Sequence, residues 1–587
     1  MFRNLSPLFP YLKRYWRGFS LGTISVFLNN GFWVLVPLVI GRATNDLNTG
    51  VTRAKLMRWA LLLLGVVVAK GIFQFTTRWV LIGISRDIEY DLRNDLFHHL
   101  EELSYSYYQR NRTGDIMARA TNDLNAVRNL LGPGIMYTAN TLVFTAFALI
   151  FMWGISAKLT LYAFAPLPVV SIVVQYFGRR IHERFERIQA GFSDISARAQ
   201  ENFSGARIVR AFAQEEPEIE LFETSNREYI SRALKLVRLM GMLWPTLELM
   251  LGLAVVLVLW LGGREVLLGH INVGNFVAFN MYMVQLTWPV IALGWVINIF
   301  QRGTASMARI QQLFDEKPEV RDEAQPGAPA EIRGEIEFRH LTFGYAETSN
   351  GQAKQNVVLK DVNLRIPEGS SLAIVGPTGS GKTTLVNLIP RIYDAPRGSV
   401  LLDGRPITDY PLAELRRNIG FVPQETFLFS DTVRGNIAFG AEHATDENVR
   451  RAAAGANIAA DIESFPEGYN TTVGERGITL SGGQKQRSAI ARALIRDPRI
   501  LVLDDALSSV DTYTEERILN HLRQVMEGRT TIFISHRVST VRAADQIAVL
   551  HDGRIVEYGT HDELLARNGY YMDLYNKQLL EEELETV

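Results

Sequence analysis

Gly376-Pro-Thr-Gly-Ser-Gly-Lys-Thr383, followed later in the chain by Leu480-Ser-Gly-Gly-Gln484, decides how the second half of this sequence folds. Ser371–Val375 is a short apolar strand that feeds the first of these stretches, and Thr384–Ile389 begins a helix after it. Strand, glycine-rich loop and helix in this order form a phosphate-binding unit. Glycines at 376, 379 and 381 let backbone N–H groups turn inward around phosphates, and the helix that starts there presents its positive end. Lys382 reaches the outer phosphates and the Thr383 hydroxyl ligates Mg²⁺. The candidate phosphate set is therefore Gly376, Thr378, Gly379, Ser380, Gly381, Lys382, Thr383 and Thr384. Ile500–Leu503 is a second apolar strand, ending in Asp504 and Asp505. A carboxylate at the end of a buried strand near such a loop holds Mg²⁺ or its waters, and Asp504 is that carboxylate. Ser481 and the Gly482–Gly483 amides precede a helix predicted from near Lys485, which makes a second phosphate-binding helix start.

The chain has 587 residues, a net charge of −1 and no cysteine. That length exceeds one compact core and asks for at least two domains. A balanced charge gives no global field for nucleic acid, so no nucleic-acid partner is expected. Without cysteine, disulfides and cysteine-based zinc or iron–sulfur sites are excluded. Met1–Arg17 is mixed and basic, with no short apolar stretch ending in small residues, so no cleavable signal is expected. All nine tryptophans precede residue 300. Tryptophan favours membrane–water interfaces, where its ring is buried and its N–H stays wet.

Crossing ~30 Å of hydrocarbon takes ~20 apolar residues as helix. Six stretches qualify: Gly18–Ile40, Trp59–Thr77, Gly134–Ala157, Leu159–Gly178, Met242–Gly263 and Ile271–Gln301. Between them lie two long Arg-rich segments, roughly 84–133 and 179–240, with helical apolar spacing; the other connections are short. Long basic segments on one side argue for cytoplasmic placement, although Arg42, Arg53, Lys55 and Arg58 run against it. An even number of spans puts both termini on that same side. Leu5–Tyr15 reads as an amphipathic helix on the inner surface. Two charges lie within spans, Lys70 and Glu248. Facing lipid they cost several kcal/mol, so they line a cavity as a cargo or coupling site, form a structural ion pair, or snorkel from helix ends.

With these motifs in order, the chain resembles the ABC transporter family, as a half-size exporter, along nearly its whole length. The fold implied is an all-α polytopic membrane domain of six transmembrane helices with long cytoplasmic extensions, residues 1–317. A linker, 318–333, and an α/β P-loop ATPase domain of ABC type, 334–587, follow. The resemblance implies ATP and Mg²⁺ as cofactors and assigns further roles. Tyr345, in Phe343-Gly-Tyr345, stacks on adenine. Gln424, in Val422-Pro-Gln-Glu425, senses the γ-phosphate, joins Thr383 and Asp504 around the metal, and touches the membrane domain. Val473-Gly-Glu-Arg-Gly477 matches an exporter-specific segment. Ser481, Gly482, Gly483 and Gln484 contact ATP held by the opposite subunit. Asp511, in Ser508-Ser-Val-Asp511, links the two sites, and His536 contacts the γ-phosphate. The catalytic set is Asp505, His536 and Gln424. One ATPase domain and one six-helix domain require a second half-transporter subunit. An integral protein of the bacterial inner membrane, with the ATPase domain and both termini cytoplasmic, is expected.

The sequence departs from the family at one position. The residue that orients the attacking water is usually Glu, and here it is Asp505. Aspartate is one methylene, about 1.5 Å, shorter, and a displacement of ~1 Å can cost ~10²-fold in rate. Relatives with Asp here are often one half of an asymmetric pair, so a heterodimer is expected, with a homodimer the alternative. Short crosswise helices are expected near Thr113-Gly-Asp-Ile116, where Gly114 breaks the run, and near Arg210–Glu216, with Phe212 either a knob for the ATPase or packed within its helix. The cargo expected is small and amphipathic or hydrophobic, of multidrug type. Phe276, Phe279, Met281, Tyr282, Met283, Trp288 and Trp295 would suit an adaptable cavity, or face lipid and neighbouring helices. A lipid or peptide cargo is the alternative, although no peptidase-like domain precedes the spans. A nucleotide-gated channel is the third reading.

Overall fold

The computed structural model describes residues 2–585 apart from 323–330, 350–351, 475–476, 478, 508–517, 519–520, 522–525 and 536. The chain forms two compact units. One comprises the residues up to His98 together with Gly114–Asp315; the other comprises His99–Thr113 and the chain from Glu316 onward.

Six helical runs of the first unit are long and apolar enough to cross a membrane: α1 (Trp16–Asn48), α2 (Arg53–Glu102), α4 (Thr113–Ile155), α5 (Ala157–Ser204), α7 (Glu215–Leu267) and α8 (Val273–Asp315). Two short helices punctuate them, α3 (Tyr105–Arg110) and α6 (Ala206–Ala211). At ~1.5 Å per residue, the 50 residues of α2 and the 53 of α7 run well past the ~30 Å hydrocarbon core. The excess is polar, so the same helices continue into water. Leu61, Leu64, Phe75, Trp79 and Trp260 are exposed along the apolar stretches. A belt of that size is not stable in water and is covered by lipid or by another membrane-embedded surface. Backbone groups in hydrocarbon must be satisfied within the chain, and helices do this for every span. The turn at Ser156 is tight: its backbone is extended, and its side chain accepts a hydrogen bond from Leu159 N. Lys158 beside that turn pairs with Glu265 at 3.1 Å, and Glu265 also meets His270 at 2.7 Å, so the two short connections seen in the sequence are joined.

Close packing between spans uses glycine. Gly41 in α1 and Gly274 in α8 cross so tightly that a Cβ on Gly274 would lie 1.9 Å from the carbonyl oxygen of Gly41. Asn45 Oδ1 accepts from Gly274 N at 2.7 Å beside the crossing. Below the spans, Glu89 of α2 is buried among Arg86, Arg93 and Arg128, the last from α4. Asp123, within a π-turn of α4, is held by Ser306 and Arg309 of α8. The N-terminal segment corrects one expectation. Leu5–Tyr15 is not one surface helix but a 3₁₀ turn and a short helix, Phe9–Arg14, tied to α2 by Tyr11–Asp95 and Arg14–Asp91 bonds. Lys70 and Glu248 do not pair. Lys70 Nζ lies 4.5 Å from the ring centre of Trp33, and Glu248 is exposed on α7.

The second unit is an α/β fold. Strands β1 (Ile336–Ser349), β2 (Gln352–Ile366), β4 (Val400–Leu402) and β5 (Arg405–Pro406) form an antiparallel sheet ordered β2-β1-β4-β5. A six-stranded sheet is ordered β10-β9-β3-β8-β7-β6, from β3 (Ser371–Val375), β6 (Ile419–Val422), β7 (Ile500–Asp504), β8 (Thr530–Ile534), β9 (Gln546–His551) and β10 (Arg554–Gly559). Its central pairs are parallel, and β7 and β8 are buried at every residue, as a sheet covered on both faces requires.

The glycine crossing gives a direct test. Gly274→Ala forces a methyl against backbone, and overpacking of this kind costs about 1–3 kcal/mol. The detergent-purified variant should melt lower in a thermal shift assay, whereas Gly65→Ala, with open space around its Cα, should match the native chain.

Candidate functional site

The phosphate loop leaves the C-terminal end of β3, and Asp504 ends β7, with β8 between them. In such sheets ligands sit at the carboxyl ends of parallel strands, so the topology gathers both groups at one edge. Gly376 has φ +149°, and a Cβ there would lie 2.1 Å from Leu550 O. No other residue fits that turn. Gly381, at φ +103°, is the N-cap of α9 (Lys382–Asn387). Thr378 and Gly379 are exposed at the loop tip, while Ser380, Lys382 and Thr384 are buried. Lys382 folds back over its own loop, donating to Gly376 O at 2.8 Å and Pro377 O at 3.0 Å. Burial pulls its ammonium below the ordinary lysine range, against the opposing pull of Asp504 and Asp505.

Asp504 is 1 % exposed, and its Oδ1 accepts from Thr383 Oγ1 at 3.3 Å. Its Oδ2 is buried with no hydrogen-bond partner, and so is Ser380 Oγ in the loop. Burial pushes the Asp504 carboxyl up to about 6. A desolvated carboxylate with a vacant oxygen, one hydroxyl away from a phosphate cradle, suits a hard divalent cation with oxygen ligands. The donor set therefore fits Mg²⁺. Asp505 follows in the left-handed region, φ +50°, with its N–H donating to Ile534 O at 3.0 Å. Aspartate tolerates this conformation better than most residues. Gln424 is exposed just beyond β6, the neighbour of β7. His536, Asp511 and the rest of Ser508–Asp511, and Glu475 and Arg476 of the 473–477 segment lie outside the described residues.

The second glycine motif opens α10 (Gly482–Leu494), three residues earlier than expected. Ser481 and Gln484 form a reciprocal capping box, Ser481 N donating to Gln484 Oε1 at 3.0 Å and Gln484 N to Ser481 Oγ at 3.3 Å. Asp461 anchors this turn through Arg487 at 2.7 Å and Gln484 at 3.3 Å. Ser481 and Gly482 are exposed, and both hydrogen bonds of the Ser481 side chain and N–H are to Gln484. The motif is built and rigid, but its helix start is not engaged by the phosphate loop of the same chain.

Tyr345 leads to residues the sequence did not reveal. Its hydroxyl lies 3.0 Å from Thr384 Oγ1, and its ring packs edge-on against Phe343 and Tyr393. Tyr393, 7 % exposed, then donates from its hydroxyl to Gln109 at 2.6 Å and meets Tyr105 edge-on. Both partners lie on α3, which Arg110 also pins to Glu319 at 2.6 Å. The first crosswise helix is therefore 105–110, not Thr113–Ile116. The latter is ordinary helix, and the extended breaks fall at Ser104 and Asn111. Gly114 misled because an isolated glycine weakens a helix without ending it. The second short helix is α6, which ends at Ala211 and so lies earlier than the expected Arg210–Glu216; Phe212, just after it, is 72 % exposed.

Comparison with known proteins agrees with this geometry. Residues 19–290 match the family model of the ABC transporter transmembrane region and residues 359–508 the ABC transporter family model. A probable multidrug resistance ABC transporter ATP-binding/permease protein of Bacillus subtilis, YheI, is 37% identical over 99% of this chain and 98% of its own. The multidrug resistance-like ATP-binding protein MdlA of Escherichia coli is 37% identical over 99% and 98%. An ATP-dependent lipid A-core flippase of Syntrophus aciditrophicus is 37% identical over 90% and 87%. Among solved structures, a bacterial Atm1-family ABC exporter with ATP bound superposes with a TM-score of 0.76 at 30% identity, covering 97% of this chain and 98% of its own.

Asp504 supplies a test with a pH signature. Its carboxyl titrates at 3.8 when unfolded and about 6 when folded. Below 3.8 both states are protonated; as pH rises through about 6, the unfolded state ionises first and the fold loses up to about 3 kcal/mol. Asp504→Asn should therefore raise the melting temperature of the nucleotide-free protein at pH 8 and much less near pH 4.5. The same variant should lose the thermal shift that MgATP gives the native chain.

Proposed function

The chain belongs to the ABC transporter family as a half-size exporter, a membrane region fused to an ATPase, and on that premise we propose that it is the slow-site subunit of a heterodimeric pump. The pump moves amphipathic or hydrophobic compounds outward across the bacterial inner membrane, with the ATPase unit and both termini in the cytoplasm. ATP hydrolysis drives transport. Tyr345 receives the adenine, and Gly376, Thr378, Gly379, Ser380, Gly381, Lys382, Thr383 and Thr384 surround the phosphates. Thr383, Asp504 and Gln424 hold Mg²⁺, which when bound neutralises charge that builds on the transferred phosphoryl group. Asp505 and His536 attend the attacking water and the γ-phosphate.

Ser481, Gly482, Gly483 and Gln484 close over the nucleotide of a second subunit, and Asp511 links the two sites. The observation that carries this reading is the exposed, self-capped helix start at Ser481, a prepared phosphate ligand without a phosphate site of its own chain beside it. Closure of the ATPase pair turns the cavity outward, and cargo acts through its different affinity for the two orientations. Asp505, one methylene short of the usual residue, supports unequal sites. A homodimeric lipid flippase is the second reading, favoured by the identity to lipid A-core flippases; a homodimeric peptide exporter has no such support.

Purifying the native complex through a tag on this chain separates these readings. A second chain with Glu at the matching position is expected; a single sequence at twice 66.1 kDa would make the protein a homodimer. Asp505→Glu should raise ATP hydrolysis at this site about tenfold or more. The longer side chain in a left-handed position costs at most about 2 kcal/mol, so the variant should still fold. An unchanged turnover would remove side-chain length as the limit.

A further inference from the structure

Within the membrane unit, α1, α2, α4 and α8 line an open cavity of about 380 Å³. Its lining is out of character for apolar spans. Asn29, Thr77, Asn140 and Gln285 border it, with Lys70 and the exposed Arg78. Part of this polar set satisfies itself: the Nδ2 groups of Asn30 and Asn29 donate to Asn140 Oδ1 at 2.8 and 3.3 Å. The rest does not. Asn29 Oδ1, Thr77 Oγ1 and Gln285 Oε1 are buried without a hydrogen-bond partner. Burying a polar atom unpaired is unfavourable, and here three such atoms belong to residues that border one cavity. Lys70 adds a cation that lies over a π face, that of Trp33 at 4.5 Å. No Asp or Glu borders the cavity, and neither Lys70 nor Arg78 has a carboxylate partner among the described residues. Charges in spans are costly and are kept where a ligand answers them.

We infer that this cavity receives the polar head of the cargo, and that the head is an anion which also carries hydrogen-bond donors such as hydroxyls. Lys70 and Arg78 meet the negative charge. Rotation of the Asn29 and Gln285 amides toward the cavity lets their oxygens accept from the hydroxyls, and Thr77 can serve either way. Exposed Trp288 and Val284, also on the cavity wall, lie ready for an apolar tail. Quaternary ammonium heads are disfavoured, since two unpaired cations repel them. The inference rests on the exporter reading above and narrows its cargo to anionic amphiphiles. The same head chemistry could arrive on a lipid or as a small soluble anion.

Equilibrium binding to the native complex in phosphatidylcholine nanodiscs tests this without requiring transport. Radiolabelled lysophosphatidylglycerol, an anion whose head glycerol carries two hydroxyls, should bind saturably. Lysophosphatidylcholine of the same tail, zwitterionic and without those hydroxyls on its choline, should bind about tenfold more weakly or worse, the size of one lost charge-assisted contact. Lys70→Met should weaken lysophosphatidylglycerol by a similar factor, Lys70→Arg should retain it, and Lys158→Met, at the distant turn, should leave it unchanged. Thr77→Val should reduce binding too, in case Lys70→Met fails to fold. Equal affinity for the two lipids, or no effect of Lys70→Met and Thr77→Val, would overturn the assignment. Competition by sn-glycerol 3-phosphate at similar concentrations would support a soluble anion as the source; its failure to compete would support a lipid. Binding that behaves as expected while ATP drives no movement of the lipid would keep the site and remove the export reading.

Discussion

A charge taken out of water must be answered by another charge or by dipoles aimed at it, and both halves of this chain are organised around that constraint. In the α/β unit the charge is Asp504, 1 % exposed, with one oxygen bonded to Thr383 and the other bare. In the membrane unit it is Lys70, resting on Trp33 beside a cavity that Asn29 and Gln285, each with an unpaired oxygen, also line. Desolvation penalties at such places exceed what packing alone returns. On the reading proposed above, a ligand of opposite sign completes the surroundings of each group during the working cycle. The two ligands would differ, a divalent cation beside Asp504 and an anionic cargo head beside Lys70, but the physical demand is the same.

The scaffold around these charges is rigid where it must be. β7 and β8 are buried at every residue, which fixes Asp504 relative to the loop that leaves β3. The loop has no freedom at Gly376, where backbone meets backbone. In the membrane unit the Gly41–Gly274 crossing and the Glu89 and Asp123 clusters hold α1, α2, α4 and α8 together. Hydrocarbon supplies no hydrophobic force between helices, so close backbone approach and polar pairs carry this work.

Much of this was legible in the sequence because it rests on local spacing. Apolar runs of span length and the glycine spacing at 376, 379 and 381 each report a single element, and the element is where the pattern put it. What was not legible depends on tertiary contact. The break before α3 carries no glycine or proline; Ser104 and Asn111 are extended because α3 packs on Tyr393 and Glu319. Lys70 and Glu248 invited pairing as the lone charges of their spans, yet Trp33, a residue with no charge to advertise, took Lys70. The bare oxygens of Asn29, Thr77 and Gln285 lie on three helices far apart in sequence, and no pattern along the chain brings them together. The α10 start was misplaced by three residues because a capping box lets two glycines stand inside the first turn.

The place of α3 has a consequence for how this protein can be taken apart. Residues 99–113 are compact with the chain from 316 onward, not with their neighbours in sequence. The natural seam for dissection therefore does not coincide with any single cut. An ATPase fragment begun at the linker would leave Tyr393 without its Gln109 and Tyr105 cover, baring an aromatic surface that invites aggregation. A chimaera that exchanges catalytic halves between relatives would have to carry this loop along with them, as a second, noncontiguous graft.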